Sequence, residues 1–190
     1  MKTATYILIF LVLLVSCKKE DIHEIDPEFK NYFGSYKDGS WWLFEDTISF
    51  EKDSLFILDY AEKRESSGPG SNEFYKIIEY KLQNKDNISR AFLGVENDGS
   101  SCFGYQIDNL TTTYFAGFPG ICKNDNINGP DCYSCGFQKI GAYEMNDYSF
   151  DNVLKIWSQS DTFYYAKNIG LIQYIGSGAN YQLIDYEINN

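Results

Sequence analysis

The chain holds five cysteines and one histidine, and these few residues bound the chemistry open to it. His23 stands alone near the amino terminus, which leaves almost nothing from which to build a Ser-His-Asp or Cys-His nucleophile or a histidine-ligated metal. Cys102, Cys122, Cys132 and Cys135 form an even set, and in an exported protein an even set implies two disulfides with three possible connectivities. Cys132 and Cys135 have redox-motif spacing, yet a thioredoxin-type site needs that motif opening a helix, which Gly136 and Gly141 disfavour. A four-thiolate zinc site wants a second close pair, and Cys102 and Cys122 lie far apart in the chain. Structural disulfides are the expectation, with free thiols, zinc and redox chemistry as weaker alternatives; no metal and no cofactor are expected.

Asn124, Asn126, Asn128 and Gly129 imitate the odd-position rhythm of a calcium loop, but Cys135 occupies the place of its closing Glu, so an Asn-rich turn is expected. Carboxylates such as Asp59 and Glu79 are available for acid–base work, although strand spacing does not set them face to face. Trp41 and Trp42 are neighbours in a β-rich run and must point to opposite faces. One is expected in the core and the other exposed or lining a concavity, where an indole can pack on an acyl chain or stack on a sugar.

The elements that would carry these residues begin with a targeting segment. Tyr6 to Val15 is unbroken apolar sequence behind a single positive charge, Lys2. It is too short to span a bilayer, which takes about 20 residues, and fits a signal peptide over residues 1–16. Leu14-Val15-Ser16-Cys17 resembles a bacterial lipobox, which implies lipidation of the Cys17 thiol and cleavage before it. Several acyl chains at about 0.8 kcal/mol per buried methylene make a stable anchor. Lys18-Lys19-Glu20-Asp21 resembles the export signal of Bacteroidota surface lipoproteins; a plain hydrophilic spacer is the alternative. Residues 17–26 are read as lipidated cysteine and tether, with Cys17 as lipidation site, the outer membrane as destination and the cell surface as the sharper possibility.

Cleavage before Cys17 removes 16 of 190 residues and leaves 174, enough for one domain, residues 27–190. Loss of Lys2 takes the formal net charge from −11 to −12, which argues against nucleic acid as a partner. Sixteen Tyr and fourteen Phe with only four Pro favour strands. One short helix is predicted over "PEFKNYF", with Asp26 as N-cap, Pro27 at the first helical position and Gly34 at the C-terminal cap. Thereafter β-rich runs alternate with turns: "WWLFEDTISF", "SLFILDY", "EFYKIIEYKL", a hairpin around Asn97-Asp98-Gly99, an irregular Gly117–Asp131, and a closing meander. Both alternating faces of Leu55–Tyr60 are apolar, so that strand should be central or covered twice. About nine to eleven strands with almost no helix predict a mainly β fold: a single large antiparallel sheet, curled into a half-barrel or barrel-like form.

"NYFGSYKDGSWWLFED" (Asn31 to Asp46) and "TFYYAKNIGLIQYI" (Thr162 to Ile175) resemble opening and closing signatures of Bacteroidota outer-membrane lipoproteins; the usual proline-containing entry is missing at Phe33-Gly34. The resemblance implies a curved half-barrel sheet like that of lipoprotein carriers and receptors. The expected function is a lipid-anchored surface protein, more non-enzymatic than not, that binds a hydrophobic ligand or glycan or joins a surface complex. The alternative is a carboxylate-based hydrolase of envelope or extracellular glycans.

Overall fold

The computed structural model describes residues 19–84, 88–95, 101–107, 121–123, 136–157, 161–176 and 178–189, with backbone alone at 92, 101–107, 121–123 and 137. Among these residues a short helix, α1 (Pro27–Phe33), stands against a sheet of twelve strands. The strands are β1 (Asp21–His23), β2 (Trp41–Asp46), β3 (Lys52–Ser66), β4 (Glu73–Gln83), β5 (Ile88–Val95), β6 (Ser101–Ile107), β7 (Ile121–Lys123), β8 (Gly136–Met145), β9 (Tyr148–Trp157), β10 (Thr162–Ala166), β11 (Gly170–Gly176) and β12 (Ala179–Glu187).

Their spatial order is β7-β6-β5-β4-β3-β2-β12-β11-β10-β9-β8. The chain meanders outward from β2 to the β7 edge, resumes at the opposite edge with β8, and returns until β12 lies beside β2. The two edges are not joined, so the sheet is not closed into a barrel. It is also mixed where a purely antiparallel sheet was expected. β5 pairs with β4 only from Ile77 onward, and the open edge at Glu73–Tyr75 is taken by β1 running parallel. Part of the segment read as a tether is therefore sheet, and His23, expected as a free linker residue, stacks on Tyr75 at 4.8 Å. β7 and β8 are strands that the glycine-rich stretches around them concealed.

Helix α1 begins and ends where its local chemistry dictates. The Asp26 carboxylate accepts from the Phe29 backbone N–H at 2.8 Å, Pro27 opens the first turn, and the Gly34 N–H closes on the Lys30 carbonyl at 2.7 Å. Its apolar side is buried on one sheet face, with Phe33 4.8 Å from Tyr165. A Cβ at Gly34 would lie 2.6 Å from Leu93 Cδ2, so only glycine lets the chain come this close to β5. Beyond it Tyr36 packs edge-on against Trp42 at 5.0 Å and against Tyr80 at 5.3 Å.

The opposite face is covered at one end by the β8–β9 hairpin. Tyr143 stacks on Tyr164 at 4.8 Å, and its hydroxyl donates to Gln173 Oε1. β10 is therefore buried on both faces. β3 is central but covered on one face only: Ile57 is buried, while Phe56 and Leu58 are 40% and 43% exposed. Burial follows from what lies above a strand, and α1 reaches only one side of this one.

Candidate binding cleft

A cleft of about 280 Å³ opens where the β8–β9 hairpin meets the turn between β10 and β11. Tyr148, Ser149, Phe150, Asp151 and Asn152 line one wall; Ala166, Lys167, Asn168 and Ile169 line the other, with Tyr186 of β12 completing it.

A β-bulge places the first wall. In the β12–β2 ladder Leu183 pairs with Phe44 and Asp185 with Leu43, which leaves Ile184 as the extra residue. A bulge frees ladder groups that must find other partners. The Tyr148 hydroxyl donates to the Ile184 carbonyl at 3.0 Å, and Asn146 Nδ2 reaches the Leu183 carbonyl at 3.5 Å. The hairpin tip is thus pinned to β12, and its rings gather there: Tyr148 lies 5.7 Å from Phe150 and 6.0 Å from Tyr186. Burial, then the carboxylate of Asp185, Tyr186 and the carboxylate of Asp147, push the Tyr148 hydroxyl above its ordinary pKa, so it stays protonated and donates.

The second wall hangs on a tryptophan. Trp42 is buried, and its indole N–H donates to the Ile169 carbonyl at 2.6 Å, gripping the β10–β11 turn from beneath. Asn168 and Gly170 take left-handed backbone, with φ of 63° and 91°. A side chain at Gly170 would also press on Tyr36 at 3.1 Å. Across the cleft Asn152 is left-handed as well, at φ 55°. Asparagine tolerates this conformation better than most residues, so strand β9 and the β10–β11 turn both expose amide side chains at little cost.

The arrangement suits a ligand with one flat apolar face and several polar edges. Two half-buried tyrosines supply the face; Lys167, Asp151, Asn152 and Asn168 supply charge and amides at the rim. Neither expected tryptophan lines it. Trp42 acts from below, and Trp41 lies half-buried on the outer sheet face, 6.5 Å from Phe56, with its indole donating to Glu187 Oε2 at 3.2 Å. The two do point to opposite faces. Asp59 and Glu79 fall on one exposed sheet face away from the cleft: Asp59 sits opposite Lys81 in the ladder, and Glu79 is ion-paired with Lys63.

The Tyr80 hydroxyl is buried with no hydrogen-bond partner among the described residues. Its ring lies between Tyr36 and Tyr60, and burial holds the phenol neutral far above the ordinary tyrosine pKa. Among the described residues no three His, Cys, Asp or Glu side chains converge as a metal site. Cys17, Cys132, Cys135 and the Asn-rich run at 124–128 lie outside the described residues, and Cys102 and Cys122 are described by backbone alone.

The cleft left little trace in the sequence. Its aromatics are ordinary strand residues, and its polar rim comes from strand β9 and the β10–β11 turn, at Asn152 and Asn168, 16 positions apart. The available signal was a pair of asparagines, a residue type that tolerates left-handed backbone, which does not say that β9 and the β10–β11 turn face each other.

No family model matches this chain, and no curated protein matches it. Among solved structures, a "putative lipoprotein" from Parabacteroides distasonis is similar over 82% of this chain and 99% of its own, at 12% identity and a TM-score of 0.33. A likeness of that degree carries no argument about function.

Proposed function

We propose that this chain is an exported, lipid-anchored outer-membrane protein whose β domain binds a glycan in the cleft between the β8–β9 hairpin and the β10–β11 turn. The anchor reading is supported by the apolar segment ending at Ser16-Cys17 and the charges that follow. Glycan binding is supported by one observation above all: Tyr148 and Tyr186 meet at the cleft beside Lys167, Asp151 and two outward-turned asparagines. Sugars offer an apolar ring face and polar edges, which is the complement of that lining. A free acyl chain fits less well, because the helix-covered face is filled by its own aromatics. Hydrolysis is also less well supported, since the lining includes a single carboxylate, Asp151, where glycoside cleavage uses two.

A second reading, a subunit of a surface complex, is favoured by the turn between β2 and β3. Ile48 and Phe50 there are 61% and 74% exposed, and Phe50 holds a left-handed backbone, φ 60°, that a bulky residue seldom adopts.

Titration calorimetry of the mature protein with soluble hexose and hexosamine oligomers tests the first reading. At least one oligomer should bind, and Tyr186→Ala should weaken it by roughly tenfold, the scale of one aromatic stacking contact. Binding that ignores Tyr186→Ala and Lys167→Ala alike would move the site elsewhere.

A further inference from the structure

β6 and β7 make the outermost pairing at one edge of the sheet. Their register sets Ser101 opposite Lys123, Cys102 opposite Cys122 and Phe103 opposite Ile121. Directly opposed residues of an antiparallel ladder have Cα atoms about 4.5 or 5.5 Å apart, depending on whether the pair is hydrogen-bonded. Both values fall inside the range of roughly 4.4–6.8 Å that a disulfide spans. On its other side Cys102 is paired with Gly94 of β5, so the cross-strand row runs Gly94, Cys102, Cys122, and the member next to Cys102 contributes no side chain. β7 is three residues long, and a ladder that short is a weak hold on an edge strand.

We propose that Cys102 and Cys122 form a cross-strand disulfide that fastens β7 to the sheet edge. Of the three connectivities open to the four cysteines, the register selects the one that joins these two and leaves Cys132 for Cys135. In the reaction the two thiols give up two protons and two electrons, and one S–S bond forms. A disulfide of a thiol–disulfide oxidant accepts them and leaves as two thiols. The pairing itself rests on the register; only its formation in the cell rests on the export reading above.

The chain has no Lys or Arg between Arg90 and Lys123, and none between Lys123 and Lys139. Trypsin therefore places Cys102 and Cys122 in one peptide, residues 91–123, and Cys132 and Cys135 in another, residues 124–139. The full chain is purified in detergent, a portion is reduced and reoxidised with a glutathione couple, and both portions are alkylated and digested without reductant. The expected result for the reoxidised protein is a 91–123 peptide that lacks two hydrogens, takes no alkyl group and is unlinked to 124–139. Further cleavage at Asp108 should leave its two parts joined. Cys102→Ser, Cys122→Ser and the double variant should each melt lower by the same amount, on the order of 5–10 °C, since any of them removes the same loop constraint.

A covalent link between the two tryptic peptides, four free thiols after reoxidation, or stoichiometric zinc released only on thiol alkylation overturns the pairing. The cell-derived portion separates the two ideas. If it carries free thiols while the reoxidised portion carries the expected bond, the pairing stands and export to an oxidising compartment fails.

Discussion

Asp46 shows how one side chain can organise a whole turn. Its carboxylate accepts from the Ile48 N–H at 3.2 Å, the Ser49 N–H at 3.2 Å, the Ser49 hydroxyl at 2.7 Å and the Asn180 N–H at 2.8 Å. Burial would raise its pKa, but these donors outweigh burial and hold the carboxyl below its ordinary value. The sign follows by linkage. A group lowered on folding contributes stability above its unfolded pKa of about 3.9 and loses it as pH falls through the folded value. Asp46→Asn keeps an acceptor but loses the charge, so at pH 7 it should cost about 1–3 kcal/mol. Melting curves of both proteins should draw together below about pH 4. A gap that stays constant down to pH 2.5 would show that the carboxylate charge is not what holds the turn.

Among the elements, the β8–β9 hairpin decides whether there is a cleft at all. It covers the sheet through Tyr143 on Tyr164 and pins its tip through Tyr148 and Asn146 to carbonyls that the β12 bulge leaves open. Tyr148→Phe keeps the ring and removes the pin. The expected loss is about 1 kcal/mol by denaturant melting. Amide exchange should quicken across residues 143–150 and stay unchanged in β3 and β4. Uniform quickening over the whole sheet would mean that the hydroxyl supports the fold at large and the hairpin has no independent docking. Little of this element was visible beforehand. Gly136 and Gly141 dilute the strand signal of β8, and no periodic pattern marks a hairpin that folds back over its own sheet.

On the scale of the molecule, two features bear on where the protein works. No helix among the described residues is long and apolar enough to cross a membrane. The chain is acidic, at a formal −11, and under the proposed anchor a charge of that sign is repelled by anionic lipid headgroups. The proposed anchor puts attachment on Cys17, and this can be tested directly. Cys17→Ser should release the protein from the membrane fraction or leave an uncleaved precursor, as read by fractionation and by intact mass. A variant that matures normally and still sediments with lipid would end the lipoprotein reading. Under the proposed anchor, the pairing of β1 with β4 would leave fewer residues between Cys17 and the sheet than a tether through residue 26.

What the sequence alone determined is what depends on neighbours along the chain or on composition. The limits of α1 are written in Asp26, Pro27 and Gly34, because caps act within one turn. The left-handed turn at Asn168 and Gly170 is set by the only residue types that adopt it cheaply. The mainly β character follows from the wealth of Tyr and Phe, and the opposed faces of Trp41 and Trp42 follow from the pleat. Tertiary structure decided which tryptophan is buried, because α1 and Tyr36 cover one face and leave the other. It decided that Ile175, apolar in a β-rich run, stays 38% exposed at a strand end. It also made the cleft, by bringing Trp42 to Ile169 across 127 positions and Tyr148 to Ile184 across 36. Such contacts join one strand's bulge to another hairpin's tip, and their energy appears only when both are in place.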